Sequence, residues 1–161
     1  MPTLWAGRRK LEQPEERGPS VSALLYSKDN PLRVAVAGLG NVGGTVVQRL
    51  AAGEIPQIQL TAICSKNLEK ARGFSERLDS RPKVIPLAEF PEHADVIVEC
   101  AVYEAFAEIA RVALEAGKTL VAVSAGALGA NPDLLDLAEK HGGIIRISSG
   151  ALPGLDLIRS A

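Results

Sequence analysis

Cysteine is scarce: Cys64 and Cys100 are the only two in 161 residues. A disulfide framework is thereby excluded, and each cysteine ends an apolar run, where a small buried residue would pack, so a reducing cytoplasm is the expected setting. Charge of one sign is also missing. Eighteen basic and 19 acidic residues leave a formal net charge of −1, which gives no electrostatic footprint for nucleic acid or for an anionic membrane. No apolar run approaches the roughly 20 residues that cross a bilayer. The N-terminus lacks the basic, apolar and small-residue order of a signal peptide, and Val21–Tyr26 is too short for its apolar core. Histidine is limited to His93 and His141, which narrows the choice of acid–base groups. No internal repeat or low-complexity tract is present, and no metal site is assigned.

Residues 1–30 differ in composition from the rest of the chain, with Arg8-Arg9-Lys10 and Glu15-Glu16-Arg17 among scattered Pro and Gly. They read as a loosely ordered leader, and the glutamates set it apart from a mitochondrial presequence. From Leu32 onward, short apolar runs alternate with amphipathic stretches, the pattern of βα units and a parallel sheet. Strands are expected at Leu32–Ala37, Ile58–Cys64, Lys83–Pro86 (brief), Val96–Val98, Thr119–Val123 and Ile144–Ile147. Between them the spacing predicts a helix over Asn41–Ala52 with Val42, Val46 and Leu50 as its apolar stripe. A weaker helix, interrupted by Gly73, is predicted over Leu68–Leu78, and a third carries Val102, Phe106, Ile109 and Ala113 on one face. Asn131-Pro132-Asp133 reads as a capped helix start and Gly142-Gly143 as its stop. Leu155–Ala161 reads as the first turns of one more helix.

The chemistry-bearing motif is Gly38-Leu39-Gly40-Asn41-Val42-Gly43. It follows an apolar strand directly, opens a helix and lies inside a βαβ unit, the context that turns this glycine spacing into a dinucleotide fingerprint. Gly38 permits the tight turn, Gly40 lets the backbone approach a pyrophosphate, and Gly43 allows strand and helix to close. The N–H groups of the helix start, at Asn41 and Val42, face the phosphates. Gly44 is read as a further small residue easing that packing. The fold class implied is α/β, a Rossmann-type doubly wound, mainly parallel sheet with helices on both faces, occupying residues 31–161.

An Asp or Glu at the end of the second strand would hold a ribose 2′-hydroxyl and select NAD. The chain has Cys64-Ser65-Lys66-Asn67 there, with Arg72 later. Ser65 and Lys66 leave room for a 2′-phosphate, so the cofactor is NADP or NAD; the alternative for Lys66 is a solvated lysine at a helix start. Glu99-Cys100-Ala101 ends the fourth strand at the carboxyl edge of the sheet. Cys100 would need a nearby base to act as a nucleophile, and is otherwise a small packed residue. Glu99 either reaches the nicotinamide side or caps a loop. Ser124-Ala125-Gly126-Ala127-Leu128 and Ser148–Asp156 are small-residue loops at the same edge, whose alternative is a tight turn without ligand. Cys100, Ala101, Ser124 and Ala127 are assigned to the cofactor.

Together with Val98-Glu99-Cys100-Ala101 and Ser149-Gly150-Ala151-Leu152-Pro153-Gly154-Leu155-Asp156, these segments resemble the L-aspartate dehydrogenases over residues 32–161. Family members usually read Ser-Gly-Ala-Ile-Gly-Gly-Leu-Asp in the last motif, so Leu152 and Pro153 depart from it. The resemblance implies oxidation of L-aspartate to iminoaspartate with NAD or NADP, in pyridine nucleotide biosynthesis, a cofactor contact near Ala127, and a possible homodimer. It also implies a second α+β domain bearing the catalytic histidine, with no counterpart here, and neither His93 nor His141 falls on a matching position. No catalytic residue is therefore assigned, and the expectation is a truncated or split gene product that binds cofactor without turnover. A homoserine dehydrogenase-like oxidoreductase and a non-enzymatic nucleotide-binding module are the alternatives.

Overall fold

The structure, a computed structural model, describes residues 26–148. Six strands run through it: β1 (Leu32–Ala37), β2 (Ile58–Cys64), β3 (Lys83–Val84), β4 (Val96–Glu99), β5 (Thr119–Ala122) and β6 (Ile144–Ile147). They form one sheet in the order β3-β2-β1-β4-β5-β6, and every pairing is parallel. The chain winds outward from β1 through β2 to β3, then restarts on the other side of β1. The junction of β1 and β4 is therefore the switch point, where open α/β sheets leave a crevice at their carboxyl edge.

Helices α1 (Asn41–Ala51) and α2 (Leu68–Ser75) connect the first three strands. The short α3 (Phe90–His93) leads into β4, and α4 (Phe106–Glu115), α5 (Ala125–Gly129) and α6 (Asp133–His141) belong to the second half. Side-chain alternation along β1 explains why both faces are covered. Val34 and Val36 pack with Val47 and Ala51 of α1 on one face. Ala35 and Ala37 point to the other, where Phe90, Phe106 and Leu134 fill the space that the small sheet residues leave. The doubly wound class read from the alternation is the class observed. Among the described residues no helix is long and apolar enough to cross a membrane.

Several local expectations are corrected. In α1 the inward residues are Gly43, Val47 and Ala51, while Val42 is 53% exposed. The helix meets the sheet at its smallest residue, so the stripe is rotated from Val42-Val46-Leu50 by about one position. Val102 is 67% exposed; a 3-10 turn over Tyr103–Ala105 intervenes, and α4 begins at Phe106. Helix α2 runs through Gly73 without a break and stops at Ser75, whose hydroxyl donates to the Pro82 carbonyl at 2.6 Å. Ser124 to Leu128 is not a loop throughout, because α5 begins at Ala125. Pro132 does have helical dihedrals before α6. The Asn131 side chain, however, turns back to donate to the Ala127 carbonyl at 2.8 Å instead of capping the new helix. Gly142 ends α6 in the left-handed region, φ 70°, as a glycine stop should.

Candidate functional site

The turn after β1 is held by its neighbours on both sides. The Gly38 N–H donates to the Cys64 carbonyl at 2.9 Å, and the Cys100 N–H donates to the Ala37 carbonyl at 2.8 Å. The ends of β2, β1 and β4 are thus drawn together at the switch point. Gly38 has φ +101°, and a Cβ on it would stand 2.5 Å from the Cys100 carbonyl oxygen. A Cβ on Gly43 would stand 2.0 Å from the Gly38 oxygen. Both glycines are therefore demanded by the protein's own packing. Gly44 is not, since its nearest neighbour would be Phe74 at 3.9 Å, an ordinary contact.

Gly40 differs in kind. It sits at φ −72° before α1, a conformation open to other residues, and a Cβ there would meet nothing within 4 Å. The protein gives no steric reason for glycine, so the free space is on the outer side, where a ligand would approach. Behind it, α1 starts with no side-chain cap and no acidic residue in its first turn. The N–H groups of Asn41, Val42 and Gly43 have no partner within the helix, and the positive end of the helix dipole faces the crevice. Asn41 and Val42 are exposed there.

At the end of β2, Ser65 is half-buried and Lys66 exposed. The Ser65 hydroxyl accepts from the Asn67 N–H at 3.3 Å, and Asn67 caps α2 by accepting from the Lys70 N–H at 2.9 Å. The capping role of Asn67 fixes where Ser65 and Lys66 stand, beside the glycine turn. Lys66 makes no ion pair among the described residues.

At the end of β4, Glu99 is fully buried. One carboxylate oxygen accepts from the Ala101 N–H at 2.8 Å and from the Ser124 hydroxyl at 3.1 Å; the other accepts from the Ser124 N–H at 3.0 Å. Of the two roles considered for Glu99, this is the loop-capping one, and it joins two loops rather than one. Cys100 lies between Glu99 and the glycine turn, half-buried. Burial first, and the Glu99 carboxylate second, push its thiol up to about 11. Burial likewise raises Cys64 to about 11. His93 ends α3 and His141 ends α6, each just before a strand starts, which puts both at the amino edge of the sheet. Cys100 has neither a thiolate nor a histidine to make it a nucleophile.

Ser124 and Ala101 are half-buried at the crevice edge. Ala127, within α5, is 1% exposed and packs into the core. Its N–H donates to the Ser124 carbonyl and its own carbonyl takes the Asn131 amide, so Ala127 stands behind the wall rather than on it. Val102 and Tyr103, both exposed, occupy the rim next to Ala101; helical periodicity turns Val102 inward, and only the extended backbone at Val102 reveals the rim. The motif from Ser149 to Asp156, the leader before residue 26 and the expected helix Leu155–Ala161 lie outside the described residues. Among the described residues no group of His, Cys, Asp and Glu is placed to hold a metal ion.

Comparison with known proteins agrees with this geometry. The family described as homoserine dehydrogenase, NAD binding domain, matches residues 38–148. An L-aspartate dehydrogenase of Bradyrhizobium diazoefficiens is 40% identical over 130 residues, which cover 81% of this chain and 46% of that protein. L-aspartate dehydrogenase 3 of Bordetella bronchiseptica is 37% identical over 135 residues, 84% of this chain and 50% of that one. The chain thus spans about half the length of the curated relatives it matches. A biliverdin reductase from Synechocystis, solved in complex with biliverdin and NADP+, is 22% identical over 81% of this chain and 42% of its own, with a TM-score of 0.64. That likeness speaks for the fold.

Proposed function

We infer the function from one premise: this chain belongs to the family of homoserine dehydrogenase NAD-binding domains. It acts as the NAD(P)-binding half of an oxidoreductase, and the reaction served is the oxidation of L-aspartate to iminoaspartate, in line with the names of its relatives. The observation that carries the cofactor reading is Gly40. A Cβ there would fill space that no protein atom claims, directly in front of the uncapped start of α1.

The pyrophosphate would lie on the N–H groups of Asn41, Val42 and Gly43, with Gly38 and Gly43 holding the turn against Cys100. Ser65 and Lys66 take the ribose 2′ side, where a hydroxyl and an ammonium tolerate a phosphate that a carboxylate would repel. Cys100, Ala101 and Ser124 line the nicotinamide end, with Ala127 supporting them from the core. When bound, the cofactor supplies the hydride acceptor for the aspartate Cα. Oxidation of the amine also releases a proton, and neither histidine is at the edge of the sheet where a residue could take it. The chain on its own therefore binds cofactor without turning over aspartate. Its setting is a reducing cytoplasm with Cys64 and Cys100 as free thiols, without nucleic acid or membrane partners, and the complete enzyme is a homodimer.

Equilibrium titration of the purified chain tests the reading. Saturable binding of NADPH, at least as tight as that of NADH, is expected. Binding of neither would overturn it, and a tenfold or greater preference for NADH would overturn the role given to Ser65 and Lys66. An aspartate and homoserine panel completes the test: turnover of aspartate by this chain alone contradicts the half-enzyme reading. Turnover of homoserine would move the substrate assignment to the activity named in the family description.

A further inference from the structure

We propose that Glu99 is a positioning residue that sets the nicotinamide end of the crevice, independently of the end that holds the adenosine. The proposal rests on the dinucleotide reading of the glycine turn. In a doubly wound sheet each half takes one mononucleotide. The glycine turn and the Ser65–Lys66 corner belong to the half built on β1, β2 and β3, so the second mononucleotide falls over the ends of β4 and β5. Those two ends are what Glu99 ties together.

The arrangement is a costly one to bury without purpose. Ile97 and Ala122, which share its face of the sheet, are apolar, and an apolar residue at 99 would continue the core. Instead a fully buried carboxylate stands there with no ion pair among the described residues. Its partners are the Ala101 N–H, the Ser124 N–H and the Ser124 hydroxyl. A buried acid must be compensated by hydrogen bonds, and here every donor comes from a loop at the crevice rather than from the core. The main chain of residue 99 adds to the clasp, because the Val123 N–H donates to the Glu99 carbonyl at 3.3 Å. One residue along, the Cys100 carbonyl closes on Gly38, leaving 2.5 Å to an added Cβ. The spacing between the β4 loop, the β5 loop and the glycine turn is thus set at Glu99, with only acceptor oxygens fitting the three donors.

Glu99→Gln tests this. Its amide offers one oxygen and an NH2 where two oxygens accepted three donors, so at least one loop N–H or the hydroxyl must turn away. Dissociation constants are measured by calorimetry for NADPH and for 2′-phospho-ADP-ribose, which lacks the nicotinamide. NADPH is expected to bind about tenfold more weakly and 2′-phospho-ADP-ribose within about twofold of the unaltered chain. Equal weakening of both would reduce Glu99 to a general structural residue and overturn the proposal, as would no weakening of either. If Glu99→Gln does not fold, as judged by circular dichroism, Glu99→Asp decides with the same two ligands. Its shorter side chain keeps both acceptor oxygens but withdraws them from at least one of the three donors, and a selective loss of about threefold for NADPH is expected, with uniform or absent loss counting against the proposal. An unaltered chain that binds NADH alone is tested in the same way with NADH and ADP-ribose, and one that binds neither NADPH nor NADH would instead bring down the dinucleotide reading itself, which separates the two failures.

Discussion

Gly40 and Gly43 are three residues apart in one turn, yet glycine is required for opposite reasons at the two positions. At Gly43 an added methyl would lie 2.0 Å from a backbone oxygen, an overlap that only a shift of β1 against α1 can relieve. Gly43→Ala is expected to cost on the order of 3 kcal/mol or more, read as a lower denaturant midpoint. At Gly40 the methyl would point into open space, and alanine is only a poorer helix cap. Gly40→Ala should therefore lose less than about 1 kcal/mol of stability. Its affinity for NADPH should nevertheless fall by more than about tenfold, because the methyl occupies the approach of the pyrophosphate. A Gly40→Ala chain with unchanged NADPH affinity would remove the phosphates from this turn. Sequence spacing identifies all the glycines of the motif at once. It does not divide them into those that serve packing and the one that serves a ligand, since that depends on how Cys100, far along the chain, is folded over the turn.

Among the elements, strands β1, β2 and β6 were legible to the residue: Val34–Ala37 is an unbroken apolar run buried on both faces, whereas β6 is a largely exposed edge strand whose start is marked by Gly142-Gly143. Helices α1, α2, α4 and α6 were legible in place but not always in orientation, and the one-turn α3 and α5 were not expected at all. Hydrophobic periodicity aims Val42 at the core, whereas close approach selects Gly43. Periodicity likewise misses the turn at Tyr103, and the five residues after Ser124, four of them Ala or Gly, are too few to carry a period. Glu99 could be placed at a strand end from sequence but not assigned its partners, which stand two and 25 residues away. A comparable long-range tie joins β1 and β4 at the opposite edge. Arg33 donates to both carboxylate oxygens of Asp95, at 3.0 and 2.6 Å, and Lys118 approaches at 3.9 Å. The Arg33 hydrogen bonds hold the Asp95 carboxyl below its ordinary value. A carboxyl whose folded pKa is depressed contributes stability above its unfolded pKa, about 4, and loses it as the pH falls through the folded value. Asp95→Asn is expected to cost about 1 kcal/mol at pH 7, a modest figure because both side chains are partly exposed. The difference from the unaltered chain should shrink as the pH falls below about 4. Denaturant midpoints at pH 7 and at pH 3 check this; a gap that widens in acid would contradict the assignment.

For the molecule as a whole, the two halves of the sheet are separate ligand supports merged along a single seam. Val34 to Ala37 of β1 pair with Val96 to Glu99 of β4, and the glycine turn sits at the carboxyl end of that seam. A dinucleotide lying across it touches β2 and the turn on one side and the ends of β4 and β5 on the other. Since such a site exists only in the folded chain, NADPH at a hundred times its dissociation constant should add about 2.7 kcal/mol of stability. In a chain of this size, that is a rise in Tm of roughly 5–11 °C. Because the seam is a continuous parallel pairing buried on both faces, the sheet should melt as one cooperative unit, and the whole transition should move with the ligand. Calorimetric scans with and without NADPH distinguish the possibilities. A single transition that shifts intact fits a ligand seated across β1 and β4. Two transitions, of which only the first responds, would mean that the ligand engages the β1–β3 half alone, and the crevice over β4 and β5, together with the clasp at Glu99, would then have no part in holding it.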